Sequence, residues 1–233
     1  MSMKSLLRRT ALAAGLAMVL AACGGPSEPA ANADNGSSSS GVALNDLGLG
    51  PEDADVVLVE YASVTCPGCR YFHINVVLPV VKPYAERGDI RYVFREFPTP
   101  PENVSIAGSV VARCAGEDKF FDVVDDLFQT QPGILGAARQ GKWGDALEAL
   151  AGRHGIDSKD DYIACLQNRD LRVAVDESRK KGLEQGVRGT PTIFLNGREI
   201  TGNDGRSAES MTALLDAAIA EAKGETAPEA PAE

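Results

Sequence analysis

Apolar residues along this chain recur at two different spacings, and the change from one to the other divides it into strands and helices. The run Val56 to Tyr61, broken only by Glu60, is the pattern of a central strand covered on both faces. A helix is predicted from about Cys66, interrupted or kinked by Pro79 and Pro83 and ended by Gly88. A second strand, Ile90 to Phe94, runs into the turn signals Pro98 and Pro100-Pro101. Residues 103 to 185 then read as helical throughout, in segments such as Phe120 to Phe128, Ala146 to Leu150, Tyr162 to Leu166 and Leu171 to Leu183. Gly136, Gly141, Gly155 and Gly186 punctuate this block. Strand character returns at Thr192 to Leu195, and Asn196-Gly197 is a strong type I′ hairpin signal leading toward Ile200. Met211, Leu214, Leu215, Ala218, Ile219 and Ala222 fall at helical spacing.

The two ends follow neither period. Residues 1 to 22 carry Lys4, Arg8 and Arg9 ahead of an uncharged stretch, Thr10 to Ala22, that ends in small residues as an export signal does. Its 13 residues fall short of the roughly 20 needed to span a bilayer as a helix. Residues 23 to 41 have no apolar periodicity and read as a flexible tether, about 20 to 25 Å long by random-coil scaling. Residues 224 to 233, rich in Ala, Pro and Glu, read as a disordered tail, which leaves 42 to 223 for the folded domain.

Composition narrows the classes further. With 44% hydrophobic and 24% charged residues, the material is ordinary for one globular domain with an elaboration. The formal charge of −10 becomes −13, 20 basic against 33 acidic residues, once Lys4, Arg8 and Arg9 leave with the signal. That disfavours nucleic acid and anionic membrane surfaces as partners.

Candidate chemistry centres on Cys66-Pro67-Gly68-Cys69, which lies between the first strand and the helix. Thiol–disulfide exchange needs an accessible thiolate and a second sulfur near enough to displace the bound partner. A helix starting at Cys66 directs its first N–H groups at that sulfur, so Cys66 is the expected nucleophile and Cys69 the resolving thiol. The competing reading is a zinc half-site, for which the other ligands on offer are His73 and the distant His154, with no second Cys-x-x-Cys. No metal is expected. Covalent haem attachment would need His at position 70, where Arg70 stands. In an oxidising compartment the remaining pair, Cys114 and Cys165, is expected to be bonded, closing a loop of roughly 50 residues for about 4 kcal/mol. Two separate buried thiols are the alternative.

The order strand, helix, strand, helical block, hairpin, helix, with this dithiol and Gly189-Thr190-Pro191-Thr192, resembles the DsbA-like branch of the thioredoxin superfamily over about residues 50 to 222. Arg95-Glu96-Phe97-Pro98 and Lys119-Phe120-Phe121-Asp122 are similar to that branch too. The resemblance implies an α/β thioredoxin fold with a helical insertion, about 103 to 185, between the second and third core strands. It implies that Pro191 is a cis-proline facing the dithiol and that the backbone of Thr190 pairs with an extended substrate segment. Glu60, six residues before Cys66, falls where the superfamily keeps a buried acid beneath the second cysteine. Desolvated, it would relay the Cys69 proton. A partly solvated acid at the strand end is the alternative. Pro67-Gly68 departs from the Pro-His dipeptide of the strongest oxidants, because Gly68 has no imidazole to stabilise the thiolate. His73 is expected on the helix surface or in packing.

Leu20-Ala21-Ala22-Cys23 resembles the bacterial lipobox, which implies that Cys23 becomes a lipid-modified N-terminus. A plain secreted protein cut near Ala22 is the alternative. The function implied is that of a monomeric, lipid-anchored periplasmic thiol:disulfide oxidoreductase without organic cofactor. It would donate disulfides to exported proteins bearing thiols and be reoxidised by a quinone-linked membrane oxidase. Gly24 after the lipid-bearing residue gives no aspartate-type inner-membrane retention signal, so the outer membrane is the expected anchor site. A reductase or isomerase using the same dithiol, and a thioredoxin-fold binding or chaperone lipoprotein, are the competing functions.

Overall fold

The computed structural model describes residues 45–225. The expected signal segment, Cys23, the tether and all but the first two residues of the expected tail lie outside the described residues. A five-stranded mixed sheet organises the domain: β1 (Leu47–Leu49), β2 (Val57–Ala62), β3 (Arg91–Glu96), β4 (Thr192–Leu195) and β5 (Arg198–Glu199), in the order β1-β3-β2-β4-β5. Only the central pair β2 and β3 is parallel, with Glu60 opposite Phe94; β1 on β3, β4 on β2 and β5 on β4 are antiparallel.

Alternation along β2 sorts its side chains between two layers. Leu58 and Ala62 enter the main apolar core, which also takes in Cys69, Val76, Val77, Tyr92, Phe94, Phe120, Phe128 and Leu215. Tyr61 enters a smaller cluster with Phe97, Val187 and Phe194, against which Val59 packs. Glu60 shares the parity of Leu58 and Ala62, so the same alternation carries a carboxyl into the core, where it has no exposed surface.

The helix after Cys66 corrects one expectation. Pro79 and Pro83 do not interrupt it: α1 (Pro67–Phe72) continues through a π-helical stretch (His73–Val81) into α2 (Lys82–Glu86). Pro79 lies within the π stretch, and Pro83 lies just past the junction at which α2 begins. Val76, Val77, Val80 and Val81 are all buried, and that packing keeps the helix continuous.

Between β3 and β4 the expected insertion is present as α3 (Glu102–Cys114), α4 (Glu117–Arg139), α5 (Trp143–Arg153), α6 (Lys159–Gln167) and α7 (Arg169–Glu184). Gly136, expected to punctuate the block, instead lies inside the long α4. Gly141, Gly155 and Gly186 do follow helix ends, at φ of 71°, 90° and 86°. Gly182 in α7 meets the sheet so closely that a Cβ there would stand 2.9 Å from both Tyr61 and Phe97. At the other attachment, Arg113 Nε and Nη2 donate to Glu96 Oε1 and Oε2 at 2.6 and 2.8 Å, a buried bidentate pair joining α3 to the end of β3. One residue on, Cys114 is disulfide-bonded to Cys165 of α6, as expected.

Asn196 and Gly197, at φ of 47° and 77°, make the two-residue turn between β4 and β5 that their sequence signals. The last helix, α8 (Ala208–Ala222), opens on a Ser207/Ser210 capping box. Gly224, at φ 71°, and the Glu225 N–H, bonded to Ala220 O at 2.9 Å, close it, so the first two residues of the expected tail belong to the helix end. Among the described residues no helix is long and apolar enough to cross a membrane.

Candidate active site

Cys66 is the N-cap of α1, with extended backbone (φ −82°, ψ 121°) and Pro67 entering the first turn. This conformation turns its sulfur back over the helix start, where it accepts from the Cys69 N–H at 3.4 Å. Across the site the peptide bond Thr190–Pro191 is cis, and the Cys66 thiol lies 3.4 Å from the Thr190 carbonyl oxygen. A Cβ on Gly68 would meet Pro191 Cδ at 3.5 Å and Cys66 Sγ at 3.7 Å, ordinary contacts. Gly68 is therefore a choice of chemistry, not a steric demand.

The two sulfurs occupy opposite environments. Cys66 is partly exposed beside exposed Pro67 and Gly68, whereas Cys69 has no exposed surface and receives the Ser63 N–H at 3.5 Å. A hydrogen bond from the Cys69 thiol, helped by Thr190 and the backbone N–H groups of Cys69 and Gly68, outweighs partial burial and brings Cys66 down to about 5. Burial, with the Cys66 and Glu60 charges nearby, pushes Cys69 well above the ordinary thiol value. At neutral pH Cys66 is a thiolate and Cys69 a thiol.

Glu60 lies near this pair as expected, and the partly solvated alternative is overturned by its complete burial. Its Oε2 accepts the Tyr92 hydroxyl at 2.6 Å, while Oε1 is buried without a partner. Burial raises this carboxyl to about 7, against the lowering effect of the Tyr92 bond and of Arg206. A buried acid that titrates near neutrality and senses the Cys69 charge is suited to exchange a proton with that thiol.

Cys66, Cys69, Glu60, Thr190, Pro191, Pro67 and Gly68 therefore converge, while Cys114 and Cys165 lie in the insertion with each other as partner. His73 is buried, with its Nε2 2.9 Å from Asp125 Oδ1 and its ring packed on Phe128; of the two expected places, packing is the one observed. Four groups of the site carried no signal legible in the sequence. Gln131 of α4 donates Nε2 to the carbonyls of Val64 and Cys66, both at 3.0 Å. Ser63 and Thr65 form a buried hydroxyl cluster with Ser105 of α3, with Thr65 Oγ1 donating to Thr99 O at 3.0 Å. Arg206 donates to the Pro191 carbonyl at 3.3 Å. Tyr92 was visible only as one aromatic in an apolar strand.

Among the described residues no group of three or more His, Cys, Asp or Glu side chains is placed to hold a metal. Here a strand leads into a helix capped by an accessible thiol, with its buried partner one turn inside and a cis-proline opposite. Fold and site together define a thioredoxin-fold dithiol protein. The chain belongs to the thioredoxin family: the family model described as Thioredoxin matches residues 43–217. It is 30% identical over 180 residues to a protein of Rickettsia conorii that bears the provisional name of a protein-disulfide oxidoreductase. That match covers 77% of this chain but 62% of the relative, so the chain spans less than two thirds of the relative's length. Disulfide bond formation protein D of Bacillus subtilis is 25% identical over 162 residues, covering 65% of this chain and 68% of that protein. The crystal structure of Wolbachia pipientis alpha-DsbA1 superposes with a TM-score of 0.67 at 20% identity, over 80% of this chain and 98% of that one, and shares the fold.

Proposed function

We propose that this protein is a periplasmic, lipid-anchored thiol:disulfide oxidoreductase that donates the Cys66–Cys69 disulfide to exported proteins. The observation that carries the reading is the contrast between an accessible Cys66 brought down to about 5 and a buried Cys69 pushed well up. A stabilised Cys66 thiolate is a good leaving group and favours the reduced form of the couple, which makes the disulfide a donor. The names of the Rickettsia and Bacillus relatives support the same chemistry.

In the forward reaction a substrate thiolate attacks Cys66 Sγ, the Cys66–Cys69 bond breaks, and Cys69 leaves and takes a proton, for which Glu60 is the nearby acid. A second substrate thiolate then attacks the substrate sulfur of the mixed disulfide, and Cys66 leaves as thiolate. The substrate loses two electrons and the dithiol gains them. Thr190, beside the cis-proline, offers its backbone to an extended substrate segment, a mode of strand pairing that tolerates many sequences. Pro67 and Gly68 leave that approach open on the exposed side. In this reading reoxidation falls to a quinone-linked oxidase in the membrane and lipidation at Cys23 anchors the domain, with Gly24 after it favouring the outer membrane.

Trapping tests the reading. Replacing Cys69 by Ala removes the resolving sulfur and leaves Cys66, so mixed disulfides with exported proteins should accumulate and dissolve under reductant. Cys66→Ala should abolish exchange. If Cys69→Ala traps nothing while Cys66→Ala keeps full activity, the dithiol is not the centre and a binding or chaperone role replaces this one.

A further inference from the structure

Gln131 is a buried amide on α4 of the insertion, 3% exposed, whose single nitrogen bridges two carbonyls of the loop that delivers the nucleophile. Its two hydrogens go to Val64 O and Cys66 O, which bracket Thr65 and Cys66. One side chain therefore restrains the four backbone dihedrals that, together with the Cys66 side-chain rotamer, set where its sulfur points. The Cys66 carbonyl also accepts the Arg70 N–H at 3.1 Å, the first hydrogen bond of α1, so the Gln131 contact joins the insertion directly to the helix start.

We propose that Gln131 is a positioning residue for the dithiol: through Val64 O and Cys66 O it holds the N-cap conformation in which the Cys66 sulfur faces the N–H groups of Gly68 and Cys69. The proposal rests on the dithiol reading for its significance and on the geometry alone for its truth. Hydrogen bonds to sulfur weaken quickly with angle, and the N–H of Cys69 already reaches Cys66 at 3.4 Å. A small rotation about the Cys66 backbone removes that donor while leaving the fold intact. A purely structural amide would do something else: it would satisfy buried carbonyls, and its loss would lower stability without changing the sulfur.

Thiolate absorbance against pH separates the two, in the full chain carrying Gln131→Met, which keeps length and removes both donors. Positioning predicts a rise in the Cys66 pKa of about half a unit to one unit, the size expected from losing on the order of 1 kcal/mol of directed hydrogen bonding. Gln131→Glu should raise it further when ionised, because a carboxylate then faces two carbonyls beside the thiolate. A lower melting temperature with an unmoved Cys66 pKa in Gln131→Met overturns the proposal, whatever shift the charge of Gln131→Glu brings. Should neither variant fold, the side-chain amide resonances of Gln131 in the unmodified protein serve instead. They should shift with the ionisation of Cys66, and their indifference to it overturns the proposal equally. The pKa of Cys66 is measurable whether or not the protein exchanges disulfides, so failure of the oxidoreductase reading would show separately, as absent exchange in the unmodified chain.

Discussion

The lowered Cys66 makes a quantitative claim about stability. In the reduced protein its pKa is about 5 against an ordinary value of 9.0, and in the oxidised protein the group does not exist. A depressed folded value stabilises the reduced fold, fully above the unfolded pKa; the effect shrinks below it and is lost as pH falls through about 5. At pH 7, two units above the folded value, the linkage is worth on the order of 3 kcal/mol. Cys66 is partly exposed, so solvent screening reduces this by roughly half, to between about 1 and 2 kcal/mol. Glu60 is present in both redox forms, but the part of its rise that the Cys66 charge causes acts only in the reduced one and works against the predicted change; Cys69, pushed upward, stays neutral across this range. The assay is urea unfolding of the reduced and oxidised protein at about pH 4.5 and about pH 7. The stability of the reduced form relative to the oxidised should rise between the two by about 1 to 1.5 kcal/mol. A difference that does not change with pH would refute the thiolate stabilisation and, with it, the argument that this disulfide is a donor.

Glu60→Gln keeps an acceptor for Tyr92 and removes the titrating proton. Because burial raises Glu60 from 4.5 to about 7, its penalty is absent below 4.5 and grows as pH rises toward 7. The variant should therefore gain stability near and above neutrality, by at most about 3 kcal/mol, while its pH–rate profile loses the inflection near 7. Equal stability at low and neutral pH would argue against a charged Glu60. Replacing both Cys114 and Cys165 by Ala should cost about 2 to 5 kcal/mol in urea unfolding, and an unchanged midpoint would deny the disulfide a stabilising role. Cys23→Ser should release the folded domain from membranes on fractionation, and unchanged retention would remove lipid anchoring at that residue.

What the sequence discloses about this site follows from how far apart the interacting residues are. The Cys66 and Cys69 roles were legible because a helix start is a local event: the cap, Pro67 and the first N–H groups all lie within four residues. The hairpin at Asn196-Gly197 was legible for the same reason. Glu60 was placed by resemblance, and only the observed alternation of β2 explains why a carboxyl must share the face of Leu58 and Ala62. Strand β1 escaped because three residues hold too little of a period to read. The continuous helix through Pro79 escaped because the rule for proline is local, whereas the packing of Val76, Val77, Val80 and Val81 that overrides it is tertiary.

Gln131 was not legible at all, since its partners stand 67 and 65 residues away and nothing about a lone amide in a helix announces them. The same reasoning bears on how the insertion serves the dithiol. It is fixed to the sheet by Arg113 and Glu96, braced internally by Cys114 and Cys165, and touches the Cys66 loop through Gln131 and Ser105. Each of these contacts bridges distant segments, and those of Gln131 and Ser105 reach the loop that carries Cys66. The short-range residues supply the reactive sulfur, and the long-range ones hold its geometry. A change in the insertion can therefore alter the chemistry of the Cys66 sulfur through its backbone carbonyl, and the Gln131 variants measure that effect directly.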